Sequence, residues 1–282
     1  MVPRFLRSVG LVGCAVCVVV SCGGARNDAD DRPSVVVTFS PLASVVESIV
    51  GDAADVTVLV PNGTDPHEFA PSARDVERLR AADIVVANGL ELEEGLVESL
   101  GSVPTLYEVT DHVTLRANDP HVWLDPMTIA EAVPSLAAAL GDALGVDLAD
   151  AATRETNELK SIDAEVRGIL DVVPSCTLVT GHESLGYFGA RYGCDVVGSI
   201  VPGLSSSAEA TAADLANLRQ VIEDRDVSAI FVELGTPSDV ADQLSRETGA
   251  SVVELATHFV PEHGGYRAMM TSMAHAIAGA LS

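Results

Sequence analysis

Residues 35–60 read VVVTFSPLASVVESIVGDAADVTVLV. Two β-branched runs, 35–39 and 56–60, flank a segment over 41–50 whose apolar residues recur at helical spacing, so the stretch predicts strand, helix, strand. The pattern repeats outward, with strands at DIVVA (83–87) and PTLYEV (104–109) and helices over 72–82 and 92–100. Short apolar strands alternating with helices are the signature of a parallel α/β layer. Beyond His121 the chain carries two helical segments, 127–145 and 147–173, with no strand run in either. The second is rich in alternating charge and predicts a long, partly solvated helix that serves as a spacer. Pro174 ends it, and the α/β rhythm resumes with strands at 176–181, 194–198, 228–234 and 250–256 and helices over 185–192, 208–223, 238–248 and 266–281. The expected fold class is α/β: two lobes of similar size, 34–146 and 174–282, joined by a long helix over 147–173.

The first residues differ in kind. Arg4 and Arg7 form a short basic start, and Val9–Val20 is a nearly continuous apolar run followed by Ser21 and Cys22. This predicts an export signal over 1–21. Its ending resembles a bacterial lipobox, which implies cleavage before Cys22 and a lipid on that thiol. Residues 22–33 are then a polar tether, and no later stretch reaches the eighteen or so apolar residues that a membrane span needs. The 41 acidic residues outnumber the 16 basic ones, for a formal net charge of −25. That charge repels phosphate backbones and excludes nucleic-acid binding.

Of five cysteines, Cys14 and Cys17 leave with the signal and Cys22 takes the lipid, so Cys176 and Cys194 remain. They open two successive strands, and outside the cytoplasm they form either a disulfide or two buried thiols.

Three of the seven histidines sit just after predicted strands: His67 in PNGTDPHEFAPSARD, His121 in NDPHVWLDP and His182 in VTGHESLGYF. Loops at strand C-termini carry ligand groups in such lobes, and imidazole is a ligand for zinc and other borderline metals. His112 and His275 are expected at the surface.

GTDPHEFAPSARD, DPHVWLDP, GHESLGYFGARYG and IFVELGTPSDVADQLSRETGASVVEL are similar to signature segments of the zinc and manganese receptors of bacterial ABC importers, also called cluster A-I. The resemblance runs from about Ser34 to the C-terminus. It implies a rigid bridging helix, a metal site in the cleft between the lobes, and His67, His121 and His182 as three ligands. At the family's fourth position, usually an acid, this chain has Ala256-Thr257-His258-Phe259. His258 is the expected fourth ligand, with Glu254, Glu262 and His263 as alternatives, and Glu68 is expected to orient the site. The long His- and Asp-rich loop that zinc receptors of the family carry between the first two ligands is missing here, so its capture role is either absent or supplied by a separate metal-donating protein.

The implied function is extracytoplasmic capture of Zn²⁺ by a lipid-anchored monomer and its delivery to an ABC permease. Manganese prefers oxygen-rich sites, and three or four imidazoles favour zinc. A manganese receptor or an adhesin is the alternative within the family. A zinc hydrolase with Glu68 or Glu183 as general base is the alternative outside it, although no HExxH helix or nucleophile elbow is present.

Overall fold

The computed structural model describes Met1, residues 32–234 and residues 238–282. The export signal, Cys22 and the tether up to residue 31 lie outside the described residues. Residues 32–282 form one compact unit.

The first sheet contains β1 (Ser34–Val37), β2 (Asp55–Val58), β3 (Ile84–Ala87) and β4 (Leu106–Glu108), in the order β2-β1-β3-β4. The second contains β5 (Thr177–Thr180), β6 (Asp195–Ser199), β7 (Ala229–Glu233) and β8 (Ser251–Leu255), in the order β6-β5-β7-β8. Every pairing is parallel, and the two sheets share one topology. All four residues of β3 are buried, as expected for a strand covered on both faces. Helices α1 (Ser40–Val50), α2 (Ala73–Ala81) and α3 (Val97–Leu100) serve the first sheet. They are followed by α4 (Pro126–Leu144) and α5 (Ala149–Leu170). Helices α6 (Gly186–Tyr192), α7 (Ala212–Asp224) and α8 (Asp239–Thr248) serve the second sheet, and α9 (Gly265–Leu281) closes the chain.

Local signals set where the functional loops stop. A capping box between Ser72 and Asp75 starts α2 and so ends the loop that carries His67. Asp125 caps α4, accepting from the Met127 N–H at 2.8 Å, and Pro126 fills the first helical position, which ends the loop of His121.

Helix α5 is the partly solvated helix that its charge pattern predicts, and its other face is part of the core. Ala152, Glu155, Leu159, Ile162, Val166 and Leu170 form a buried stripe at three- and four-residue spacing, and the remaining charges, apart from the buried Asp163, lie off this stripe. The stripe packs on α4, α9 and α1, helix partners that no strand-based pattern could reveal. One apolar core therefore runs from the first sheet through α4, α5 and α9 to Leu178, Phe188, Phe231 and Leu255 of the second lobe. A smaller core, with Ile222, Ile230 and Leu244 among its members, lies elsewhere in the second lobe. Arg191 on α6 holds Asp163 on α5 with two hydrogen bonds of 2.7 and 2.6 Å. By length and composition α4 could cross a membrane, contrary to the sequence expectation, but its buried Ile129, Val133, Leu136 and Leu140 make it a core helix. Cys176 and Cys194 are joined in a disulfide that ties the start of β5 to the start of β6.

Leu159 is fully buried in this shared core. Leu159→Ala should cost about 2–5 kcal/mol, and calorimetry should show a single transition shifted downward as a whole. Two separated transitions, with only one displaced, would mean that the lobes have independent cores.

Candidate metal centre

Four histidine loops meet at the C-terminal ends of the two sheets. His67 lies between β2 and α2, His121 between β4 and α4, His182 just after β5 and His258 just after β8. All four are buried, at 6, 1, 4 and 5% exposure respectively. Together with Asp65, Trp123, Ser184 and Thr257 they line a cavity of ≈ 10 Å³, room for about one water-sized sphere.

Three of the rings converge. His67 Nε2 is 3.4 Å from His121 Nε2, which is 3.0 Å from His182 Nε2, and donor atoms of all three lie within 4.8 Å of one another. Nitrogens about 2.05 Å from a tetrahedral ion stand about 3.4 Å apart, so these spacings are near those of a bound state. The opposite nitrogen of each ring faces a carboxylate: His121 Nδ1 is 2.7 Å from Asp119, His182 Nδ1 is 3.0 Å from Glu233 and His67 Nδ1 is 3.3 Å from Glu94. A carboxylate at Nδ1 holds the proton there and leaves the Nε2 lone pair facing inward. Asp119 also accepts from the His121 backbone N–H, and Glu233 from the Ser184 hydroxyl. None of these three acids is marked by a sequence motif. Glu94 and Glu233 come from segments remote in sequence from their histidines, and only the Asp-Pro-His spacing of residues 119–121 hints at Asp119.

Burial and the neighbouring His121 push the His67 pKa down to about 4. Burial also lowers that of His121, despite Asp119 beside it. At His182 burial opposes charge, but the Glu233 carboxylate outweighs it and the net shift is upward.

Other expected residues fall elsewhere. His258 lines the cavity but stands outside the group of three. Its Nδ1 lies 3.1 Å from Thr257 Oγ1, the ring also bonds the Gly63 backbone, and burial lowers its pKa. Glu254, Glu262 and His263 are exposed. Glu68 is exposed as well, and the orienting role expected of it falls to Glu94, Asp119 and Glu233, because the chain turns at His67 and sends the next side chain outward. Glu183, the other candidate base of a hydrolase, is exposed, as are His112 and His275. Asp65 was not anticipated at all: it is only 8% exposed and lines the cavity.

Contacts between the lobes gather around this centre. Trp123 Nε1 donates to the Thr257 carbonyl at 2.6 Å, and the Tyr187 hydroxyl accepts from the Arg116 N–H at 2.8 Å. The Asn62 amide donates to the Val260 carbonyl at 2.7 Å and accepts from the Val260 N–H at 2.9 Å.

Residues 35–280 match the sequence profile of the ZnuA family, described as zinc-uptake complex component A, periplasmic. The chain belongs to this family. It is 28% identical over 290 residues to the high-affinity zinc uptake system protein ZnuA of Bacillus subtilis (strain 168), covering 90% of this chain and 89% of that protein. It is 29% identical over 253 residues to the manganese-binding lipoprotein MntA of Halalkalibacterium halodurans, covering 83% of each. Its fold superposes on the periplasmic zinc binding protein TroA from Treponema pallidum with a TM-score of 0.79, at 29% identity, over 89% of this chain and 99% of that one. Members of this family are solute-binding proteins of metal transport and not enzymes.

A buried imidazole whose folded pKa lies below its unfolded value binds fewer protons folded than unfolded between the two values, so stability falls as pH drops through that window. For His67 the window runs from 6.5 down to about 4. Thermal melts of chelator-treated protein should show a falling midpoint from pH 6.5 towards 4.5, with a shallower fall in His67→Gln. Parallel curves would remove His67 as a source of the acid sensitivity.

Proposed function

We propose that this protein captures Zn²⁺ outside the cytoplasm and hands it to the permease of an ABC importer, with His67, His121 and His182 as three of the ligands. The observation that carries the reading is the convergence of three Nε2 atoms on one small buried cavity, each ring backed by a carboxylate at Nδ1. Inward-facing lone pairs repel one another unless a cation or proton lies between them, and a nitrogen-rich set favours zinc over manganese. The fourth position faces His258 and Asp65. The working parts are the lobes 34–146 and 174–282 on either side of the helix 147–173, and His182 is the ligand contributed from beyond that helix. Similarity to a zinc uptake protein supports zinc as cargo, while similarity to a manganese-binding lipoprotein keeps manganese as the competing ion to be measured. The protein acts as a monomer held by a lipid on Cys22 and receives metal from solution or from a separate donor protein.

Competitive titration of metal-free protein tests the reading. Zinc should bind far more tightly than manganese, and alanine at His67, His121 or His182 should each weaken zinc by at least about 100-fold. Asp119→Asn should cost about 10–100-fold through the orientation of His121. Manganese affinity equal to that of zinc would sink the zinc assignment. In cells, Cys22→Ala should move the protein out of the membrane fraction.

A further inference from the structure

The geometry points to Asp65 as the fourth metal donor, with its Oδ2, not the His258 ring, closing the tetrahedron that His67, His121 and His182 begin. This rests on the metal-receptor reading above and adds a ligand from the first loop to it.

A repeated tripeptide carries the assignment. Asp65-Pro66-His67 and Asp119-Pro120-His121 have the same local geometry: the first carboxylate Oδ1 accepts from the N–H of the histidine two residues on, at 2.9 Å in one case and 3.0 Å in the other. In the second copy Asp119 also takes up the Nδ1 of its own histidine, at 2.7 Å. In the first copy Glu94 stands at that nitrogen instead, and Asp65 Oδ2 is left buried without a hydrogen-bond partner while its residue lines the cavity. A buried, unsatisfied carboxylate oxygen is costly, and a divalent ion in the adjoining cavity would remove that cost.

His258 is committed elsewhere. Its ring engages Thr257 Oγ1 and the Gly63 backbone. Beside it Asn62 and Val260 exchange two hydrogen bonds, and a Cβ on Gly63 would meet Phe259 at 3.3 Å. His258 thus belongs to the seam that joins the 61–65 loop to the last loop of the second lobe. Zinc in a closed site takes four donors, and Asp65 lines the cavity with a buried carboxylate oxygen that has no hydrogen-bond partner. It would make the site three imidazoles and one carboxylate, with two donors from a single loop.

The test pairs Asp65→Asn with His258→Gln. Asn keeps the Oδ1 acceptor for the His67 N–H, and Gln keeps hydrogen-bonding capacity at the seam. Asp65→Asn should weaken zinc binding at least about 100-fold while leaving the melting temperature of the metal-free protein unchanged or higher, because an unpartnered charge is removed. His258→Gln should change zinc affinity less than about 5-fold. A crystal structure of the zinc-loaded protein should show an Asp65 oxygen at about 2.0–2.2 Å from the ion. A His258 nitrogen or a water in that place, or Asp65→Asn with wild-type affinity, overturns the assignment. If alanine at His67, His121 or His182 leaves zinc binding intact, the receptor reading fails, and the Asp65 assignment fails with it.

Discussion

Three imidazole nitrogens gathered in one buried cavity, with His121 Nε2 at 3.4 Å from His67 and 3.0 Å from His182, are the constraint on which the rest of the structure depends. Lone pairs do not gather in this way by packing alone. Each ring has a carboxylate on its far side, and all three carboxylates accept a further hydrogen bond, from the backbone at Asp119 and from the Ser184 and Ser205 hydroxyls at Glu233 and Glu94. The centre is therefore built outward in layers, from nitrogen donors to acids to the groups that fix the acids. Such support costs burial of charge, and the downward shifts at His67 and His121 record how far this environment disfavours a protonated ring.

The two parallel sheets supply the convergence. Because both have the same strand order, their C-terminal edges can be turned toward one another, and loops from each meet in the middle. His67 and His121 come from the first sheet's loops and His182 from the second's. An ion held by all three is accordingly a bond between lobes, and it sits beside the Trp123–Thr257, Asn62–Val260 and Arg116–Tyr187 contacts that already join them. Helix α5 and the terminal helix α9 bury the opposite side of the junction in a continuous apolar core. A long helix packed along much of its length resists bending more than a solvated tether would, so the apposition of the loops is set by packing as well as by polar contacts.

Much of this was legible in the chain. Strand and helix alternation on both sides of the 147–173 segment predicted two parallel α/β units, because each strand is a short β-branched run between turn residues and each helix carries its own apolar period. The three histidines stood out because each follows a strand in a loop bounded by proline or glycine. The sequence marks α5 as partly solvated but does not show what its buried stripe of Leu159, Ile162 and Val166 packs on, because two of its partner helices, α1 and α9, lie far off in the chain. At Glu68 the sequence places an acid next to His67, whereas in the fold that side chain is exposed.

The sequence by itself determined the element order, the strand-end location of His67, His121 and His182, and the family to which the chain belongs, since these depend on local periodicity and short motifs. The tertiary structure alone decided which acids stand behind which rings, that His258 is drawn into the seam between lobes, and that Asp65 keeps an oxygen without a partner inside the cavity. The physical reason is distance along the chain. Glu94, Asp119 and Glu233 meet their histidines at separations from two residues to more than fifty, and hydrogen-bond geometry at that range follows from how sheets and helices pack.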